Sequence, residues 1–200
     1  MRSDLAVALL CGLSACTSAT ARTGDKDKGG AVVGTISGLH PDRYPVVVFL
    51  EGKRAEPEKP RLHRIGQKGL EFKPAFLVVS AGDTVAFPND DDVSHNVFSV
   101  SRAKSFDLGL YNPGANKKVQ FKKTGLIDLF CNIHENMHAI VVVVPSRFSA
   151  HVDGKGEYRI EGIAPGSYEA VMWKEGKELL RTPVVARSGK VVRVDFDVPR

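Results

Sequence analysis

The sequence runs to 200 residues, 42% hydrophobic and 26% charged, with 19 glycines and 11 prolines. That is material for one large core or two small ones, and it excludes a disordered or fibrous chain. The net charge of +5 is spread along the chain, and no helical or aromatic readout motif accompanies it, so no nucleic-acid partner is expected. Cys11, Cys16 and Cys131 are an odd set with two members near the start, which excludes a disulfide framework. No apolar run reaches the roughly 18 to 20 residues of a membrane-spanning helix.

Residues 1–15 read as a signal peptide: Arg2, an apolar stretch over 5–13, then small residues. Leu13-Ser14-Ala15-Cys16 resembles a bacterial lipobox, which implies cleavage before Cys16 and lipidation of that cysteine. Asp4 departs from the usual basic start, and plain secretory cleavage nearby is the other reading. Residues 16–30 are small, polar and charged, as a flexible tether would be. The compartment this predicts is the periplasm or cell envelope, with the chain held at a bacterial membrane by its lipid anchor.

From Ala31 onward apolar residues recur with period two in short bursts, and no stretch carries the 3.6-residue period of a helix. The reading is all-β. Strands are predicted at 31–38, 45–51, 75–80, 84–88, 95–100, 117–122, 126–131, 139–144, 148–153, 157–161, 167–173, 180–187 and 190–198. Turn chemistry separates them, as at Gly82-Asp83, Asn112-Pro113-Gly114, Asp153-Gly154 and Ser188-Gly189. Many short strands so spaced predict a sandwich or barrel. Composition breaks at 51–60 and again at 145–146.

One constellation carries chemistry. Cys131-Asn132-Ile133-His134-Glu135-Asn136-Met137 puts a thiol, an imidazole and a thioether on the turn between two apolar strands, and Ser94-His95-Asn96 supplies a second imidazole from upstream. Two imidazoles, one thiolate and a weak axial thioether form the ligand set of a trigonal blue-copper site, because soft sulfur suits Cu(I) and imidazole suits both oxidation states. His134-Glu135-Asn136-Met137-His138 also satisfies H-E-x-x-H, but that protease chemistry needs a helix, and the flanking Leu129-Phe130 and 139–145 are strand-forming. A Cys131–His134 thiol nucleophile is a weaker reading still, with no orienting group in sight.

From Phe72 and Pro74 through Gly82-Asp83-Thr84-Val85, Phe87, Asn89, His95-Asn96-Val97, Phe106, Pro113-Gly114 and Gly125 to Cys131-x-x-His134-x-x-Met137, residues 60–145 resemble the cupredoxin family. The short loop is most similar to the amicyanin type, and with its flanking strands the chain also resembles plastocyanin-like proteins described as methylamine-utilisation proteins. The resemblance implies a Greek-key β-sandwich holding one type 1 copper on His95, Cys131, His134 and Met137, with Asn96 bracing the cysteine loop. Glu135, where many such loops carry proline, and His138, a competing ligand, leave the axial position open between Met137 and His138. His40, His63 and His151 lie outside the set.

The segment from Phe148 through Asp153-Gly154, Tyr158, Gly162-Ile163 and Pro165-Gly166 to Tyr168 resembles the carboxypeptidase regulatory-like, transthyretin-like sandwich, and Gly34-Thr35-Ile36 with 46–50 resembles its first strands. The resemblance implies that residues 31–55 and 146–200 form one discontinuous β-sandwich interrupted by the copper domain; the other arrangement is a separate C-terminal module at 146–200 with 31–55 in the cupredoxin sheet.

The function expected is one-electron transfer, not enzymatic catalysis, with a periplasmic c-type cytochrome or quinoprotein dehydrogenase as partner. The alternatives are a copper carrier or storage protein without redox duty and a structural envelope lipoprotein. With only 3 methionines, the chain lacks the adaptable Met-rich ligands of a carrier. Asp90-Asp91-Asp92 beside His95, and Arg102, Lys104, Lys117 and Lys118, are the charges available for docking.

Overall fold

The computed structural model describes residues 29–39, 45–52 and 59–199, and every regular element among them is a strand. The first nine are β1 (Gly30–Ser37), β2 (Val46–Gly52), β3 (Leu62–Arg64), β4 (Gly66–Gln67), β5 (Phe72–Lys73), β6 (Phe76–Ser80), β7 (Thr84–Pro88), β8 (Phe98–Ser101) and β9 (Lys104–Asp107). Then follow β10 (Asn116–Gln120), β11 (Gly125–Phe130), β12 (His138–Val144), β13 (Ser149–His151), β14 (Glu157–Ile163), β15 (Gly166–Lys174), β16 (Lys177–Ala186), β17 (Val191–Arg193) and β18 (Phe196–Asp197). The signal and lipidation readings, with Cys16, lie outside the described residues, as does His40.

A five-stranded sheet in the order β6-β12-β11-β8-β9 faces a three-stranded sheet β10-β7-β3. This all-β arrangement, with β6 parallel to β12 and β11 antiparallel to it, is a Greek-key sandwich. Its core is filled by alternate residues: Val85 and Phe87 from β7, Val119 from β10, Ile127 and Leu129 from β11, and Ala139, Val141 and Val143 from β12.

A second pair of sheets, β13-β2-β15-β16 and β14-β1-β17 with β18 beside β1, encloses its own core. Val32 of β1, Val48 and Leu50 of β2, Ile160 of β14 and Met172 of β15 meet there. β2 pairs with β15 over seven residues, from Val46↔Lys174 to Gly52↔Tyr168. Thus 30–52 and 148–197 share one core, while 62–144 builds the other. Gly34 is needed where β1 passes the 194–195 crossover, since a Cβ there would fall 1.7 Å from the Val194 carbonyl oxygen.

The two sandwiches meet face to face. β2 reads Val-Val-Val-Phe-Leu and β12 ends in Val-Val-Val-Val, runs with no polar alternation, and each strand is covered on both faces. Val47 and Phe49 of β2 and Val171 of β15 pack against Val142 and Val144 of β12, with Phe76, Val78, Ile140 and Trp173 around them.

The predicted strands recur with two differences. Residues 95–97 are not a strand, since β8 begins at Phe98, and 190–198 divides into β17 and β18 where the Val194 amide turns to bond the Val33 carbonyl. The segments β3, β4, β5 and β9, two to four residues each, are too short for periodicity to show.

Asp83 anchors the base of the sandwich built by 62–144. Its side chain is 2% exposed and accepts from the amides of Arg61 (2.8 Å) and Ser80 (3.1 Å) and from His63 Nε2 (2.8 Å). Burial alone would raise this carboxyl, but the Arg61 amide, the His63 ring and the Ser80 amide outweigh it and hold it below its ordinary 3.8. A depressed carboxylate stabilises the fold fully above its unfolded value, and that contribution disappears as pH falls through the folded one. Urea unfolding between pH 5 and pH 2 is therefore expected to show a steeper loss of stability in the native protein than in Asp83→Asn, which is less stable at neutral pH but flatter in acid.

Candidate metal centre

Strand parity aims the donors. In β11, Ile127 and Leu129 point into the core while Asp128 and Phe130 do not, and the next step of two puts Cys131 inside, 6% exposed. β12 repeats the pattern in reverse: Ala139, Val141 and Val143 point inward, so Met137 is buried at 1% and His138 is exposed. The loop between them is closed by the last ladder pair, Phe130↔His138, and by the Met137 amide donating to the His134 carbonyl at 3.1 Å. His138 stacks on Phe130 at 5.0 Å and lies with its Nε2 3.0 Å from Asp128 Oδ1, on the side of the sheet away from the core. His134 and His138 thus face different ways and no helix carries them, which disposes of the H-E-x-x-H protease geometry.

His95 arrives from the other side of the sandwich, wholly buried. Its backbone exchanges two hydrogen bonds with Tyr111, 3.1 Å from its own amide and 2.8 Å to its carbonyl. Its ring is aimed by Asp91, whose Oδ2 accepts from His95 Nε2 at 2.8 Å. A carboxylate can only accept, so the proton sits on Nε2 and the Nδ1 lone pair is left for the site. Asp91 in turn is held by the amides of Gly69 (2.7 Å) and Leu70 (3.0 Å) in the turn between β4 and β5. Burial would raise its carboxyl; those two amides and the His95 ring prevail and lower it to about 2.

Ligand atoms of His95, Cys131 and His134 all lie within 4.8 Å of one another. His95 Nδ1 and His134 Nδ1 are 3.1 Å apart, and Cys131 Sγ is 3.7 Å from His134 Nδ1. Metal bonds of about 2.0 Å to nitrogen and 2.3 Å to sulfur, opened trigonally, separate a nitrogen and a sulfur donor by about 3.7 Å. The donor set therefore fits a soft or borderline ion, and two imidazole nitrogens with one thiolate, beside a buried thioether on the same loop, fit copper.

The brace expected of Asn96 runs through its backbone. Its amide points at Cys131 Sγ (3.5 Å), while its side-chain nitrogen donates to Asp107 Oδ1 at 2.6 Å and ties the site to β9. An amide aimed at the sulfur holds the cysteine side chain in place on the site. Of the histidines expected elsewhere, His63 bonds Asp83, and His151 lies beside Phe76 at 4.3 Å.

Two contributors are not singled out by sequence. Asp91 is one of three adjacent aspartates, and only its burial separates it: its side chain is 7% exposed against 37% for Asp90. Tyr111 carries no metal-ligating chemistry, and its role as the backbone partner of His95 depends on pairing across sixteen residues.

The sequence model of the family described as copper binding proteins, plastocyanin/azurin family, matches residues 61–144, the segment that builds the sandwich around this centre. Among solved structures, the chain is similar to a purple cupredoxin from Nitrosopumilus maritimus (24% identity, TM-score 0.37, covering 41% of this chain and 99% of that one). It is similar also to a reduced amicyanin variant (24%, 0.39, covering 42% and 82%). A third similar structure is a copper-containing nitrite reductase from Thermus scotoductus (24%, 0.40, covering 56% and 28%). No curated protein matches the sequence significantly.

Proposed function

We propose that this chain is a type 1 copper protein that carries single electrons in the bacterial cell envelope. The observation that carries the reading is the convergence of His95, Cys131 and His134 at one end of a rigid sandwich, with Met137 buried in the same core. A copper ion held there would supply one-electron cycling between Cu(I) and Cu(II). His95 is fixed by its backbone pairing with Tyr111 and by Asp91, and Cys131 and Met137 by the ends of β11 and β12 next to them, which limits their rearrangement between the two states. The half-buried His134 gives the centre an edge toward solvent.

Four exposed apolar side chains lie in the segments that lead to the centre: Leu70, 47% exposed, Val93, 41%, Leu110, 60%, and Ile133, 49%. Each belongs to a segment already tied to the centre: the Leu70 amide bonds Asp91, the Val93 carbonyl accepts from Asn89, Leu110 precedes Tyr111, and Ile133 precedes His134. Exposed apolar side chains of this kind, with the exposed Asp90 and Asp92 close by in sequence, suit brief docking of a redox partner such as a c-type cytochrome or a quinoprotein dehydrogenase. In this reading Cys16, lipidated, holds the protein at the membrane, the chain transfers electrons without catalysing a reaction, and the second sandwich is a rigid spacer.

Adding Cu(II) to the protein is expected to produce an intense thiolate-to-copper absorption in the visible that is absent in Cys131→Ala, together with reversible one-electron voltammetry. A colourless protein that binds only Cu(I) would overturn electron transfer in favour of copper carriage.

A further inference from the structure

Apart from the metal centre, and sharing none of its donors, the copper-side sandwich opens between its two sheets. β9 is the last strand of one sheet and β10 the last of the other, and between them runs a groove of about 660 Å³. Ala103, Phe106 and Val119 contribute its apolar lining, and Arg102, Lys104, Lys118, Lys122 and Lys123 its charge, with no carboxylate among the lining residues. None of these five cations forms an ion pair among the described residues, whereas Arg64, Lys68, Arg159, Arg181 and Arg193 each have an acidic partner. Lys117 does not join them; its ammonium donates to the Leu108 carbonyl and lies 5.0 Å over the Tyr111 ring.

Lysines are common on edge strands as guards against aggregation. That accounts for Lys104 and Lys118 but not for the rest, because Arg102 comes from the β8–β9 turn and Lys122 and Lys123 from the β10–β11 connection. Two strands and two connections thus bring uncompensated positive charge to one recess, at a cost in mutual repulsion that an anionic occupant relieves. β9 and β10 each have one strand neighbour, so alternate amides and carbonyls of both remain available for pairing. A flat layer of anionic headgroups could meet the charges but could not use those backbone groups.

The geometry points to a docking site for an extended acidic segment of a partner protein, added as a strand along β9. Such a strand alternates its side chains, laying apolar ones toward Ala103, Phe106 and Val119 and directing carboxylates to the basic rim. The site does not depend on the metal or on the electron-transfer reading.

The test is an NMR titration of isotope-labelled full chain with an acetylated, amidated peptide in which Glu and Val alternate. Shifts confined to the amides of 104–107 and 116–123 are expected, with an affinity that weakens as salt is raised. It should fall at least about tenfold in Lys118→Glu/Lys122→Glu and by less in Lys118→Ala/Lys122→Ala; both side chains are exposed, so the fold should persist. Equal binding of the glutamine version of the peptide, or an affinity unchanged by charge reversal, overturns the site. So does a silent peptide alongside binding to phosphatidylglycerol vesicles, or inorganic phosphate reproducing the same shifts.

Discussion

Phe49→Ala is expected to destabilise the whole molecule by about 3–5 kcal/mol, the range for removing a buried aromatic side chain and leaving its cavity. Phe49 is wholly buried, and it is not in the core of either sandwich. It stands edge-on to Trp173 at 5.0 Å and packs among Val142, Val144 and Val171 in the layer between the two inner sheets. For a chain of this size the change corresponds to a fall in Tm on the order of 10 °C. Because the layer draws residues from both units, thermal unfolding of the copper-loaded protein followed by Trp173 fluorescence and by the visible band that the proposed centre would give is expected to shift together. Val142→Ala, made from the opposite side, should be non-additive with Phe49→Ala, since the two share one cavity. If only the fluorescence transition moves, the sandwiches unfold independently and the apolar layer does not couple them.

The same layer shows where sequence reasoning reaches and where it stops. The runs 46–50 and 140–144 are legible as strands, and their lack of polar alternation signals cover on both faces. Nothing in either run names the other as its cover. That depends on how β2 and β12 are oriented after two separate sheets have formed. Period two likewise identifies β11 and β12, and parity along them separates Met137 from His138 once both strand ends are known, which residue patterns fix only to within a few positions. The cysteine, the two histidines and the methionine were legible because few roles need that set in that order. The shared groove of Arg102, Lys118 and Lys123 was not, since it depends on two sheet edges ending side by side.

Asp91→Ala should show how far the centre relies on a residue that offers no ligand. The substitution leaves three donors without their acceptor: the amides of Gly69 and Leu70 and the Nε2–H of the wholly buried His95. Only the His95 donor is buried, whereas Gly69 and Leu70 are exposed and water can take over their amides, so the roughly 1–3 kcal/mol for one buried donor left unpaired sets the expected loss in urea unfolding at about 2 kcal/mol. The effect on the metal is separate in origin. With Nε2 no longer held, His95 is free to move its proton to Nδ1, the atom that faces His134 at 3.1 Å, and to turn its ring. Loss of an outer carboxylate of this kind typically weakens metal binding about 10- to 100-fold, measurable as Cu(I) competition against a chelator. Asp92→Ala, on an exposed neighbour, is expected to leave both stability and affinity nearly unchanged. Asp91→Asn keeps an oxygen for one amide but sets its NH2 among the remaining donors, so it should fall between the two in stability while losing most of the affinity. An Asp91→Ala protein with native copper affinity would mean that strand pairing with Tyr111 alone positions His95.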